Sequence, residues 1–374
     1  MFPSESVFML QSGMNGLVNS RIPAMVLVWL TLLVPAFGGD NNTDRGDLTL
    51  PHQTQSPLPD YKIQAGMEGE IYPVFANYGS LQKQTERTFG AVSVTVSNPG
   101  DTFLRQRVAV KVVGWSDEEI QIAELRPGGA HTYLFAPVFL PRFYKNHEIV
   151  AATVQVSVTD MSGRSVYQNT VPVRIRSAED MYWGSDFKYA PFIASWVTPH
   201  DLQLESVLAR AVNYVPDHRL PGYEDWKSAD QQELETYREA KAIFLALKGL
   251  GLAYVNSYTT LGGHRDLSER VRMPRVSLGQ SSANCIDAAV MYASLFENLG
   301  MEATVVIVPG HAYAGVRVAA GSNRFLFIDV ALTGRATFEA AVASAQRGLA
   351  KYQPSSVTRV VIQQARDAGI YPMP

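Results

Sequence analysis

The sequence predicts an α+β protein in which an antiparallel β-sandwich precedes a domain of helices and antiparallel strands. Three observations carry that expectation. Hydrophobicity alternates with a period of two from about residue 61 to 176, the pattern of strands with one buried face. After Ser177 the period becomes helical. Near the C-terminus a helix and two strands collect the single cysteine, a histidine and an aspartate. A length of 374 residues suits about two to three domains. With 46% apolar and 18% charged residues the chain can build a sizeable core. Net charge −3 excludes a dedicated nucleic-acid binder, which needs a basic excess. One cysteine, Cys285, excludes a disulfide framework and multi-cysteine zinc or iron–sulfur sites, and no metal or cofactor is expected.

Residues 1–39 read as a signal peptide. Arg21 precedes the uncharged run Ile22 to Phe37 (IPAMVLVWLTLLVPAF), and Gly38-Gly39-Asp40 follows it. Met14 would give a tidier start. The run is shorter than the ~20 residues of a usual spanning helix, so a retained membrane anchor through residues 22–37 is the alternative. The expected location is therefore exported, periplasmic or extracellular. Residues 40–60 are polar and interrupted by Pro51, Pro57 and Pro59, a composition that reads as a disordered linker.

The sandwich is expected over residues 61–177. Val92, Val94 and Val96 alternate with polar residues up to the turn Asn98-Pro99-Gly100, and Val108, Val110 and Val112 repeat the pattern. Val154, Val156 and Val158 lead through Met161-Ser162-Gly163 to Val171, Val173 and Ile175. The stretch Ile122 to Gly129 resembles the turn-bearing strand of immunoglobulin-like accessory domains in secreted bacterial proteins. His131 and His147 read as isolated, so this half is expected to act as a spacer or binding module.

In residues 178–374 a first helix is expected from Asp201 to Val215, stopped by Pro216. A second runs from Asp230 to Leu250 with Leu234, Tyr237, Ala240, Ile243 and Phe244 on its buried face. Glu233, Glu235, Glu239 and Lys241 read as its solvated face. His264 and Asp266, in the following loop, lack partners at metal-ligand spacing. Asn284 to Gly300 is a third helix with Asn284 as N-cap, which places Cys285 in the first turn, where free N–H groups and the helix dipole favour a thiolate. By itself this is weak, because a lone cysteine is more often an inert buried hydrophobe. The next segment adds chemistry. Thr304 to Pro309 is strand-like, His311 opens a second strand, Gly321-Ser322-Asn323 turns, and Arg324 to Val330 returns with Asp329. A hairpin centred near residue 320 or 321 sets His311 opposite or diagonal to Asp329 on one sheet face; a loop of even length would separate them.

A helix-start thiol beside a histidine oriented by a carboxylate is a nucleophile–base–orienter set. Its order along the chain resembles the transglutaminase-like branch of the papain-type cysteine enzymes, in particular bacterial exported members. The residues that carry the resemblance are Asn284-Cys285-Ile286-Asp287-Ala288-Ala289, Tyr292 to Leu295, Leu299-Gly300, Pro309-Gly310-His311-Ala312-Tyr313 and Phe327-Ile328-Asp329. Leu332 to Ala341, Ala365 to Pro372 and the upstream Val271 to Arg275 are similar as well. The likeness spans about Phe187 to Pro374. It implies a helix-plus-antiparallel-sheet domain with Cys285 as nucleophile, His311 as general base and acid, and Asp329 as orienter. Two departures stand out: Asn284 occupies a position that is often glycine in the family, and Tyr313 one that is commonly tryptophan.

Oxyanion donors are the backbone N–H of Cys285 and one of the Gln280, Asn284 or Tyr258 side chains. Asp287 is expected to bond the preceding loop. The function these residues imply is an exported, cysteine-dependent amide hydrolase or acyltransferase acting on peptide or protein substrates. The alternative is a secreted interaction module that keeps the fold without catalysis.

Overall fold

The computed structural model describes residues 57–224, 228–256 and 267–374. The expected leader, most of the expected linker, Tyr258, His264 and Asp266 lie outside the described residues. The architecture is α+β, and the described residues belong to one compact unit. Among the described residues no helix is long and apolar enough to cross a membrane.

The valine alternation folds as its period dictates. Asp60–Ala65, Val92–Ser97 and Ala130–Phe135 form a three-stranded antiparallel sheet with Val92–Ser97 in the middle. A second sheet runs in the order Glu70–Ile71, Ser165–Ile175, Val150–Asp160, Leu104–Val112, Glu119–Leu125. Val92, Val94 and Val96 from the first sheet share one core with Val108, Val110, Val112, Val154, Val156 and Val158 from the second. The two inner faces therefore bury their alternate side chains against each other. One pairing departs from the expected antiparallel pattern: Glu70–Ile71 runs parallel to Ser165–Ile175.

A helix, Pro73–Leu81, interrupts the stretch expected to be all strand. Pro73 sits in its first turn, where the missing N–H costs nothing. Its side chains divide between two cores. Ala76 joins the valine core, whereas Val74 and Phe75 join the core of the C-terminal half.

In that half, Leu202–Ala211 is a helix capped by Asp201, and the chain tightens into a 3-10 turn, Val212–Tyr214, before Pro216. Ala229–Gly249 is the long helix, capped by Ser228. Ala240, Ile243 and Phe244 are buried as expected, but two positions reverse the expectation. Leu234 is 51% exposed, and Glu239 is only 1% exposed. Glu239 accepts the Gly222 N–H at 3.1 Å, and burial pushes its carboxyl up to about 7. The loop across this helix, not the helical period, decides which side is covered.

The sheet that supports the site has four antiparallel strands, in the order Phe325–Ile328, His311–Arg317, Ala303–Val308, Thr358–Val361. Ala303–Val308 is buried along its whole length, which suits its apolar run, and the one hydroxyl in it, on Thr304, donates to the Val360 carbonyl at 2.8 Å. The cysteine helix, Cys285–Asn298, lies against this sheet, with Ile286, Ala289, Val290, Ala293 and Phe296 in the core. Val306, Val308 and Tyr313 join a smaller cluster with Ala345 of the helix Phe338–Leu349.

Candidate active site

The site begins with a helix start. Asn284 has extended backbone angles, its Oδ1 accepts the Asp287 N–H at 2.8 Å, and the Asp287 carboxylate accepts the Asn284 N–H at 3.2 Å. This reciprocal capping fixes Cys285 as the first helical residue, where backbone N–H groups have no helical acceptor. Cys285 is a free thiol and only partly buried.

The hairpin brings the other two groups together. Pro309-Gly310 closes the turn that pairs Val308 with His311. Gly310 has φ of 75°, the left-handed region where glycine alone carries no steric cost. Ala314 then pairs with Ile328 and Gly315 with Phe327, so the ladder is centred on residue 321. In that register His311 and Asp329 are diagonal on one face, with His311 Nε2 3.0 Å from Asp329 Oδ1. The second carboxylate oxygen accepts the Ser344 hydroxyl at 2.7 Å.

The electrostatics follow from these contacts. Burial would push the Asp329 carboxyl up, but hydrogen bonds from His311 and Ser344 outweigh it and hold the group below its ordinary value. Burial would pull His311 down, but hydrogen bonds with Asp329 and Cys285, together with the charges of both partners, raise it to about 9. With Nε2 engaged by the carboxylate, Nδ1 is the ring nitrogen left for the thiol. Tyr313 stands edge-on to the imidazole, ring centroids 4.6 Å apart, and walls that side of it.

The remaining predicted residues divide. Gln280 is exposed, and its Oε1 accepts from Arg272 Nη1 at 2.7 Å. Asn284 spends its Oδ1 on the helix cap and is 1% exposed, with no hydrogen-bond partner on Nδ2 among the described residues. Asp287 is fully buried and, as its spacing suggested, bonds the preceding loop: it accepts from the Arg272 N–H and from Arg272 Nε, each at 2.8 Å. His147, read as isolated, instead lies with Nδ1 3.4 Å from Glu179 Oε1, while Arg270 Nε donates to the other oxygen of that carboxylate at 2.6 Å. His131 contacts only the Tyr133 ring among the interactions resolved for it.

Two functional-looking residues escaped the sequence reading. Ser344 sits among Ala341, Val342 and Ala345, and a polar residue on that otherwise apolar helix face was the available signal. Arg272 is a buried arginine between Val271 and Met273, a charge where the apolar context predicts none.

A cavity of about 670 Å³ opens beside Gln280 and Arg272, lined also by His147, Glu179, Asn256, Arg270 and Val276. A smaller one of about 240 Å³ is formed by residues 251–254 with Ala331, Gly334 and Arg335, close in sequence to Asp329. Among the described residues no cluster of three or more His, Cys, Asp or Glu side chains could hold a metal ion.

Comparison with known proteins adds little. No family model and no curated protein matches the chain. A solved FixG-related protein from Vibrio parahaemolyticus is similar over 32% of this chain and 95% of its own, at 13% identity and a TM-score of 0.19, too low to carry an argument.

Proposed function

We propose that this chain is a transglutaminase-like cysteine hydrolase or acyltransferase acting on peptide or protein amides, preceded by an immunoglobulin-like sandwich and exported by its N-terminal segment. The observation that carries the reading is the chain of contacts from Ser344 through Asp329 and His311 to Cys285. Each member has a chemical task. Ser344 and Asp329 fix the imidazole with its Nε2 proton on the carboxylate, which leaves Nδ1 to exchange a proton with the thiol. The Cys285 sulfur attacks the amide carbonyl carbon, a C–S bond forms, and the carbonyl electron pair moves onto oxygen. Backbone N–H groups at the helix start stabilise that oxygen. Collapse breaks the C–N bond, the amine leaves with the proton from His311, and a thioester remains. Water then gives hydrolysis, and a primary amine gives transamidation.

The immunoglobulin-like half is supported by two facing sheets with a shared valine core. The rival reading, a binding module without catalysis, gives no reason for a carboxylate and a hydroxyl to hold a histidine beside the only thiol.

The test is labelling by a peptide electrophile. Wild-type protein should be labelled at Cys285 and Cys285→Ala should not. Equal labelling of both would remove the thiol from the reading.

A further inference from the structure

The sheet that carries His311 and leads into Asp329 has an open edge. Phe325–Ile328 is its outermost strand, paired with His311–Arg317 on one side and with no strand among the described residues on the other. Backbone direction alternates along a strand, so the bonds already made fix which groups look outward. Arg317 N–H donates to the Glu302 carbonyl, towards Ala303–Val308, and Val318 N–H donates to Arg324, towards the outer strand. The even-numbered residues of His311–Arg317 therefore bond the outer strand, where Ala314 meets Ile328 and Val316 meets Leu326. Phe325 and Phe327 are left with N–H and C=O turned to the open side, and none of these four groups has a partner among the described residues. Asp329, next in the same phase, confirms the direction: its N–H donates outward to the Ala341 carbonyl.

The aromatic rings leave this edge uncovered. A Cβ on Gly315, the residue paired with Phe327, would come 2.8 Å from the Phe327 ring, so glycine there lets the ring lie inward across the sheet. Arg359, from the opposite edge strand Thr358–Val361, reaches over both rings, 5.2 Å from the centroid of Phe325 and 5.0 Å from that of Phe327. Natural edges are ordinarily blunted by lysine, proline or a bulge. The strand Phe-Leu-Phe-Ile contains neither residue, and its pairing runs without a register shift.

We propose that this edge is a self-association surface: a second copy of the chain pairs with it antiparallel, about a two-fold axis at Leu326. Two outward residues set two apart match themselves under that operation. Phe325 then lies opposite Phe327 of the second copy, and all four outward groups of each edge find partners. Half-buried Leu326 lies opposite Leu326 of the second copy, so apolar meets apolar. A register two residues away either strands the Phe327 groups beside the turn or calls on the Asp329 N–H, which is already bound. The two Arg324 side chains stand four residues apart along the pair, about 13 Å, so like charges do not meet. Two four-stranded sheets become one continuous sheet. None of this draws on the thiol chemistry, and Cys285→Ala should associate as wild type does.

Sedimentation of the full-length protein across a range of concentrations reads the association, and two pairs of variants locate it. Phe325→Ala keeps the outward N–H and Phe325→Pro removes it, with the ring lost in both. The proline variant should associate about tenfold more weakly than the alanine variant. In a Cys285→Ala background, Leu326→Cys sets two thiols across the axis with Cα atoms about 4.5 Å apart, within disulfide reach. Phe325→Cys sets them two residues out of step. Diamide, reduced to its hydrazine as each thiol pair is oxidised, should cross-link Leu326→Cys chains much faster than Phe325→Cys chains.

A wild-type protein that is monomeric at every concentration overturns the proposal. So does association of equal strength in Phe325→Pro and Phe325→Ala, or cross-linking no faster through Leu326→Cys than through Phe325→Cys. Should circular dichroism show that the proline variant does not fold, the cross-linking pair decides alone.

Discussion

The proposed chemistry turns on the His311 imidazole, whose protonation has a definite consequence for stability. Its folded value, about 9, lies above the ordinary histidine value. A group whose value rises on folding stabilises the fold while protonated in both states. That contribution is complete below about pH 6.5 and is lost as pH climbs through about 9. Urea midpoints should therefore fall between those limits in wild type and less so in His311→Ala. Asp329 works in the opposite direction, since its depressed value contributes stability that disappears as acid protonates it. In kinetics, Ser344→Ala removes one of two bonds holding Asp329, and a charge-assisted bond of about 1.4 kcal/mol corresponds to a tenfold fall in acylation rate. Asp329→Asn should cost far more, because an amide can present N–H to the ring and reverse its tautomer. Cysteine, histidine and aspartate stood out in the sequence only as an ordered set, a helix-start thiol followed by a strand histidine and a strand aspartate, because a lone cysteine is ordinarily an inert buried residue. Ser344 did not, because a serine among alanines is common and only the packed helix shows what it faces.

At the level of elements, the turn before His311 is a sensitive point. A Cβ on Gly310 would meet no atom within 4 Å, so Gly310→Ala costs backbone strain without a clash, about 1 kcal/mol. Denaturation should report that loss, and acylation should slow because His311 is the next residue. Asn284→Ala should cost about 1 kcal/mol as well, since it abolishes half of the reciprocal cap at the start of the cysteine helix. The hairpin register was legible only in part: a centre near residue 320 or 321 brings His311 and Asp329 to one face, whereas a loop of even length would separate them, and only the observed pairing decides. The long helix Ala229–Gly249 misled the reading at Leu234 and Glu239 for a physical reason. Its covering elements come from distant sequence, the residue that bonds Glu239 being Gly222, and local periodicity carries no record of them.

Across the whole molecule a second buried arginine does structural work. Arg176 is fully buried, with Nε 2.8 Å from Asp180 and its guanidinium over the Tyr72 ring at 5.3 Å. Glu70 lies 3.5 Å from it. Arg176→Ala removes the buried cation shared by Asp180 and Glu70, leaving Glu70 with Arg174 at 2.9 Å, and should destabilise the fold by about 3–5 kcal/mol, readable by urea titration. None of this was visible from the sequence, where Glu70 stands far from Arg176 and Asp180. The mixed class and the inner valine faces were visible, because they depend on the period alone.

The short helix Pro73–Leu81 leaves one last mark on how the protein can be handled. Tyr72, Phe75 and Tyr78 interleave with Phe89, Tyr182, Tyr189 and Phe192, so the aromatic packing is woven from both sides of residue 177. Scissors applied at residue 177 would strip half of that weave and leave a raw, oily scar on the remainder. The piece 178–374 should come out of cells in inclusion bodies, and adding the missing piece as a separate polypeptide during refolding should rescue it.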